Sequence, residues 1–135
     1  VSPDQKLLAY CLDLDGNEAF VVQFKRLDTG AVLPERIGNA YYGLEWDAAS
    51  QHVFYTTLGE AHRPDSVWCH RVGDEPTVDA RVFYEPDIQF EVGVAKSADG
   101  ASLLVTLSSN TRSEIWHVPA ALPAADPQPL AVRQA

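Results

Sequence analysis

The polar and apolar positions of this chain alternate in short segments of the length and composition typical of β-strands. In the central stretch from Tyr41 to Asp87, four apolar runs are rich in β-branched or aromatic residues, and Asp, Gly, Pro or Ser bounds each of them. These runs predict strands at Tyr41–Trp46, His52–Leu58, Ser66–Val72 and Arg81–Tyr84. Four strands within about 45 residues match the size of one β-propeller blade.

The central unit is repeated on both sides of itself, at offsets of 45 to 50 residues. Two sets of equivalent strand positions are Leu8, Val53 and Leu103, and Val22, Val67 and Ile115. The turn Ser2-Pro3-Asp4 corresponds in the same way to Asp47-Ala48-Ala49, and Gly43–Asp47 corresponds to Gly93–Ser97. Self-similarity at such a period is typical of propeller blades or solenoid units.

We therefore predict an all-β fold, a partial β-propeller of about three blades of four-stranded antiparallel sheet, with repeats at about 1–40, 41–88 and 89–135. A closed propeller needs roughly 4–8 blades. The first unit also begins on the turn before its second strand, so we expect the chain to be cut from a longer ring. A small independent β-sandwich is the competing fold, and the threefold register argues against it.

The flanking units contain further strands. They are predicted at Leu7–Tyr10, Phe20–Leu27, Ala31–Ile37, Phe90–Lys96, Ser102–Ser108 and Ser113–Val118, and Leu130–Val132 begins another. Alternation with period two places Phe20, Val22 and Phe24 on one face. Pro34 weakens the segment Ala31–Ile37, which is therefore expected to be an outer edge strand.

Composition limits the partners of the chain. It has 19 acidic and 10 basic residues, a formal net charge of −9. A nucleic-acid-binding surface would be basic, so no nucleic-acid partner is expected. An acidic surface attracts cationic ligands instead. No apolar run reaches about 18 residues, so no membrane partner is expected either.

Cys11 and Cys69 lie on predicted strands of different blades, and no C-x-x-C motif is present. Two such cysteines do not form a disulfide scaffold, and reduced thiols are typical of a cytoplasmic protein. We therefore predict a cytoplasmic location.

Two short motifs suggest other chemistry but are better explained as turns. Asp28-Thr29-Gly30 matches the aspartic-protease loop, but that reaction needs a second carboxylate loop, and no other Asp-Thr/Ser-Gly occurs. The segment Asp13–Glu18 resembles a calcium loop, yet its glycine is fourth rather than sixth and no amphipathic helices flank it.

The histidines give no metal signature. They are His52, His62, His70 and His117. No subset has the spacing of zinc ligands, so we predict surface or locally bonded side chains and no metal or cofactor. Because Cys69 and His70 are adjacent on a predicted strand, they should point to opposite faces.

Six short motifs occur along the chain. Each is a weak strand-turn pattern by itself, but their order and spacing together are distinctive. They are Ser2-Pro-Asp-x-x-Leu-Leu-Ala-Tyr10, Phe24-Lys-Arg-Leu-Asp-Thr-Gly30, Pro64-Asp-x-Val-Trp-x-His-x-Val-Gly73, Val82-Phe-Tyr-Glu-x-Asp87, Phe90-x-Val-x-Val-x-Lys-Ser97 and Thr111-x-Ser-Glu-Ile-Trp116. With these motifs the chain, to about Pro129, resembles the propeller of the prolyl oligopeptidase family of serine peptidases, in particular its oligopeptidase B (protease II) branch.

The resemblance implies a seven-bladed propeller that caps an α/β-hydrolase domain with a Ser-Asp-His triad, whose serine lies on a G-x-S-x-G elbow. The chain contains no G-x-S-x-G. No catalytic residue can therefore be assigned here, and the hydrolase domain is expected outside this chain. The implied partners are short peptide substrates and the α/β-hydrolase domain of the same polypeptide.

For the whole protein, the resemblance implies hydrolysis of short peptides after Arg or Lys. The propeller would gate access to the triad and keep folded proteins away from it. The alternative is a non-enzymatic β-propeller that binds other proteins, with no hydrolase domain in its gene.

Tyr41 and Tyr42 are the candidate substrate-channel residues. They begin the inner strand of the complete unit, and the resemblance implies that inner-strand residues lie at the mouth facing the active site. Packing between blades is the alternative role, because large aromatic side chains usually belong to the core. An isolated partial propeller leaves apolar blade faces uncovered, so we expect the isolated chain to self-associate.

Overall fold

Ten β-strands form the structure, a computed structural model that describes residues 1–14, 16, 19–121 and 123–131. The strands are β1 Leu7–Leu12, β2 Phe20–Arg26, β3 Ile37–Trp46, β4 His52–Leu58, β5 Pro64–Arg71, β6 Ala80–Tyr84, β7 Glu91–Lys96, β8 Ser102–Ser108, β9 Ser113–Pro119 and β10 Gln128–Ala131. Short 3₁₀ turns occur at Glu60–His62 and Pro76–Val78. No helix in this described part is long and apolar enough to cross a membrane.

The strands form two antiparallel sheets. The first contains β1 to β6 in chain order, and the second contains β7 to β10. Leu44 faces Tyr55 across β3 and β4, and Val94 faces Val105 across β7 and β8. The predicted all-β, antiparallel architecture is confirmed, and the four-strand units expected after residue 40 correspond to β3–β6 and β7–β10.

The segment before β3 differs from its prediction. The expected edge strand Ala31–Ile37 is reduced to a single bridge between Lys25 and Val32, and β3 begins at Ile37. Pro34 has no N–H to donate to a ladder. The next residue, Glu35, turns its side chain into the protein and is buried. β3 then continues past residue 40 and pairs with both β2 and β4, which joins the first two units into one sheet.

Three turns, one in each predicted unit, contain an equivalent hydrogen bond. Leu7 N–H donates to Ser2 Oγ at 3.1 Å, and Ser102 N–H donates to Ser97 Oγ at 3.0 Å. In the central unit, His52 N–H donates to the Asp47 carboxylate at 3.0 Å. Each bond spans five residues, so the side chain of the first residue sets where the next strand starts.

The central strands β4 and β5 contribute to two hydrophobic cores. The first core lies around β1 to β4, and its buried members are Phe20, Val22, Phe24, Ile37, Ala40, Trp46, Val53 and Tyr55. The second lies between the two sheets, with Phe54, Val67, Phe90, Val92, Leu103, Val105, Leu107, Val118 and Ala120. Because neighbouring residues of a strand point to opposite faces, Val53 and Phe54 enter different cores. The predicted shared face of Phe20, Val22 and Phe24 is confirmed.

Candidate functional site

The candidate tyrosines lie at an irregularity in β3. The ladder to β4 pairs Ala40 with Thr57 and Leu44 with Tyr55, so the register shifts between Ala40 and Leu44. Gly43 within this bulge has φ +100°, a left-handed conformation that favours glycine. A bulge re-aims the side chains next to it, which is why such features are common beside functional sites.

Tyr41 and Tyr42 form an aromatic cluster with Phe20. The Tyr42 ring lies 4.8 Å from the ring centroid of Phe20 and 4.8 Å from that of Tyr41. Tyr41 packs against the first core, whereas Tyr42 is 59% exposed. The pair therefore consists of one packing residue and one ring available to solvent. The role of both tyrosines in a substrate channel stays a prediction.

At Gly43, β3 comes close to the second sheet. A Cβ built on this residue would lie 3.2 Å from Val94 Cγ2 and 3.5 Å from the Val94 carbonyl oxygen. A side chain here would be strained by its φ and crowded by its neighbour. Glycine therefore lets the inner strands β3 and β7 approach each other.

We expect Gly43→Ala to lower the free energy of unfolding by about 2 kcal/mol, because it adds both strain and crowding. Urea unfolding of Gly43→Ala and Gly73→Ala separates strain from crowding, because the second variant should add strain alone. Gly73 has a similar φ, +102°, but no atom within 4 Å of its Cβ position. Equal losses in the two variants would contradict a packing role for the contact with Val94.

His70 is the centre of a buried polar network that connects the first two units. Its Nε2 lies 2.6 Å from Glu35 Oε2, and its Nδ1 lies 2.7 Å from Asp79 Oδ1. The Tyr55 hydroxyl donates to the other Asp79 oxygen at 2.6 Å, and Gly73 N–H donates to Glu35 at 2.8 Å. With both carboxylates ionised, both ring nitrogens of His70 must act as donors.

The prediction that the histidines are surface or locally bonded side chains is confirmed for His52 and wrong for His70. His52 is locally bonded, with its Nδ1 2.8 Å from Asp47, as expected. His70 corrects the prediction, because it has no exposed surface and its partner Glu35 is 35 residues away. Cys69 packs beside the second core while His70 stacks on Phe24 of the first, so these neighbours do point to opposite faces. Among the described residues, no group of His, Cys, Asp and Glu could hold a metal ion.

The two turn motifs behave as turns in the part that is described. Gly30 has φ +75° and its N–H donates to the Arg26 carbonyl, while Asp28 pairs with the Arg26 side chain at 3.3 Å. Gly16 N–H donates to Asp13 Oδ1 at 2.9 Å between β1 and β2. Residues 15, 17 and 18 of the former calcium candidate lie outside the described residues.

Arg63 holds the connection between the two sheets. Its side chain is buried, and its guanidinium donates to the Phe90 carbonyl at 2.7 Å and to the Glu85 carbonyl at 3.2 Å. These carbonyls flank the link from β6 to β7. Sequence patterns did not single out Arg63, because its position in a polar loop gives no indication of burial.

Cys69 lies in a setting that suppresses its ionisation. Burial raises the pKa of its thiol to about 12, with a further contribution from the Asp47 and Asp79 carboxylates. Burial also raises the pKa of Cys11. Both cysteines are free thiols. Because the thiolate is the reactive form, Cys69 is a poor nucleophile at neutral pH.

Alkaline pH should therefore destabilise the protein through Cys69. The unfolded thiol ionises near pH 8.5, so its contribution to stability is complete below that pH and declines as the pH rises towards 12. We expect a lower urea midpoint at pH 10 than at pH 7 under reducing conditions, and a smaller difference in Cys69→Ala. The same difference in both proteins would contradict this assignment.

Comparisons with known proteins identify the fold and the family. The family model for the N-terminal β-propeller domain of prolyl oligopeptidase matches residues 1–134. The chain is 38% identical to Protease 2 of Moraxella lacunata over 85% of its length, and 35% identical to dipeptidyl aminopeptidase BI of Pseudoxanthomonas mexicana over 91%. It spans 17% of the length of each of these relatives.

Solved structures agree on the fold. Oligopeptidase B from Leishmania major superposes with a TM-score of 0.91 at 23% identity, over 98% of this chain and 19% of that one. Oligopeptidase B from Trypanosoma brucei, with covalently bound antipain, gives 0.85 at 24% identity, over 98% and 18%. The predicted partial propeller and the resemblance are thereby confirmed. This chain belongs to the prolyl oligopeptidase family of serine peptidases, as part of the N-terminal β-propeller domain.

Proposed function

We propose that this chain is the access-controlling part of an oligopeptidase B-like serine peptidase, which hydrolyses short peptides after Arg or Lys at a triad outside the chain. The observation that carries the proposal is the 38% identity to Protease 2 over 85% of the chain. The net charge of −9 is consistent with it, because an acidic protein attracts cationic peptides.

The propeller would act by exclusion. Its two sheets are held together by the second core and by Arg63, while the first core packs within the first sheet, so we expect it to act as a wall rather than a loose cover. Tyr42 adds an exposed aromatic ring on β3 where a peptide could pack. A narrow opening would admit unfolded peptides and exclude folded proteins.

The test uses the full-length polypeptide that carries this chain. We expect it to cleave an acetylated arginyl arylamide much faster than the matched prolyl compound, and an arginine-containing peptide much faster than the same sequence within a folded protein. A preference for proline would contradict the specificity. Equal cleavage of the peptide and the folded protein would contradict the gating role. Absence of any hydrolysis would favour the protein-binding alternative.

The similarity to a dipeptidyl aminopeptidase favours a second candidate activity, the release of dipeptides from free amino termini. Matched peptides with free and acetylated amino termini distinguish the two. An oligopeptidase cleaves both, whereas a dipeptidyl aminopeptidase requires the free amine.

The isolated chain is also proposed to self-associate through β1. Leu7–Leu12 pairs only with β2 and carries no charge or proline, whereas the edge strands β6, β7 and β10 contain Arg81, Glu91 and Pro129. Uncharged edges are prone to pair with other chains. Sedimentation velocity should give a mass that rises with concentration. A monomer at every concentration, with a sharp cooperative melt, would contradict it.

A cytoplasmic location is part of the same proposal. It rests on the free thiols of Cys11 and Cys69, since paired cysteines are favoured in oxidising compartments.

A further inference from the structure

A polar cavity of about 370 Å³ lies where three loops meet, and we name it the loop cavity. The loops are those between β4 and β5, between β6 and β7, and between β8 and β9. Its lining includes Ala61, Arg63, Ile88, Gln89, Glu91 and Asn110. The volume is within the range of sites that bind small ligands or a few peptide residues.

Arg63, which lines this cavity, is incompletely paired. Its Nε is buried and has no hydrogen-bond partner among the described residues. The carboxylate of Asp65 lies 4.0 Å from Nη2, beyond hydrogen-bond distance. Asp65 balances the charge of Arg63, but a buried N–H donor without an acceptor is costly and favours any acceptor that reaches it. A carbonyl oxygen in the loop cavity could accept from this nitrogen.

The wall formed by the β4–β5 loop is conformationally strained. Ala61 and His62 are consecutive non-glycine residues with φ of +57° and +55°. Left-handed conformations of this kind persist only where the surrounding structure imposes them, and they are concentrated at ligand sites. Ala61 lines the loop cavity directly. The strain and the unpaired Arg63 nitrogen therefore coincide at one place in the protein.

The remaining lining groups match the chemistry of a peptide. Within the described part of the chain, the amides of Gln89 and Asn110 and the carboxylate of Glu91 have no side-chain partner. An amide side chain both donates and accepts, as a peptide backbone requires. Glu91 provides one negative charge for a basic side chain, and Ile88, which is 66% exposed, provides an apolar contact.

We propose that the loop cavity binds a short extended peptide with a basic side chain directed to Glu91. The backbone of the peptide would bond to Gln89 and Asn110, with a carbonyl oxygen towards Arg63. The ligand class follows from the proposed function, whereas the location follows from the cavity alone. Such a site would hold part of a basic peptide on the propeller itself.

The probe is an acetylated and amidated pentapeptide with a central arginine between alanines, titrated into the full chain by calorimetry. A comparison peptide has glutamine in place of the arginine. We expect the arginine peptide to bind more tightly than the glutamine peptide. Glu91→Gln should weaken binding of the arginine peptide roughly two- to fivefold and thereby remove the preference. Asn110→Ala should weaken both peptides about fivefold, since it removes backbone bonds common to them.

Glu75→Gln is the matched control. It makes the same change in charge on an exposed glutamate beside the Pro76–Val78 turn, away from the loop cavity. It should leave both affinities unchanged. Equal effects of Glu75→Gln and Glu91→Gln, or no saturable binding to the unaltered chain, would overturn the proposal. This assay involves no hydrolysis, so its failure and the failure of the peptidase assignment are separate results.

Discussion

Replacing His70 with alanine is expected to lower the free energy of unfolding by about 3–5 kcal/mol, the largest effect of any single side chain in the network. The imidazole separates the carboxylates of Glu35 and Asp79, both of which are buried. Without it, the two buried carboxylates lose their common partner and, among the described residues, keep only the Gly73 N–H and the Tyr55 hydroxyl as donors. Burial of an uncompensated charge costs far more than loss of an exposed pair.

Urea unfolding at a concentration where the chain is monomeric measures this loss. His62→Asn is the control, because His62 is exposed and asparagine tolerates its left-handed φ of +55°. We expect the control to remain within about 0.5 kcal/mol of the unaltered protein. A His70→Ala protein as stable as the control would show that the network adds nothing to stability.

The conservative variant Glu35→Gln separates charge from hydrogen bonding. A glutamine can still accept from the imidazole and from Gly73 N–H, but it is neutral. We expect Glu35→Gln to lose less stability than His70→Ala. The network joins the segment before β3 to β5, so the loss should be accompanied by faster amide exchange around Glu35.

Replacing Arg63 with methionine is expected to lower the free energy of unfolding by about 3 kcal/mol. The change removes three charge-assisted hydrogen bonds to the carbonyls of Glu85 and Phe90, while the methionine retains much of the apolar stem. These bonds hold the link from β6 to β7, so the packing of one sheet on the other should weaken. Phe90, at the start of the second sheet, is fully buried and depends on this link.

Arg112→Met is the matched control, because Arg112 is exposed in the β8–β9 turn and uses only its backbone in hydrogen bonds there. It should change stability by no more than about 0.5 kcal/mol. Comparable losses in the two variants would contradict the role assigned to Arg63. Amide chemical shifts should identify where Arg63→Met perturbs the structure, and we expect changes at residues 85–91.

Much of the fold could be predicted because it depends on local pattern. Within the strands, apolar and polar residues alternate with period two. Ser2, Asp47 and Ser97 precede equivalent strands at nearly equal spacing. Those three residues accept the same local hydrogen bond, so the repeat visible in the sequence is the repeat of a physical contact. The bounds of β4 and β8 agree with prediction at both ends.

The candidate sites were less predictable, because they depend on contacts between distant residues. Glu35 follows a proline in a polar segment, and nothing nearby indicates that it binds His70, 35 residues later. The bulge beside Tyr42 depends on the pairing of β3 with β4 across the sheet. The loop cavity exists only because three loops from two sheets meet.

The sequence by itself determined the strands, the turns between them and the repeat, since each follows from side chains within a few residues of one another. The tertiary structure alone decided which polar groups are buried together, because the burial of Glu35, Arg63 and His70 depends on how the sheets and the loops between their strands pack. A charged side chain is stable inside a protein only when hydrogen-bond or ion-pair partners are buried beside it, and here those partners come from other parts of the chain.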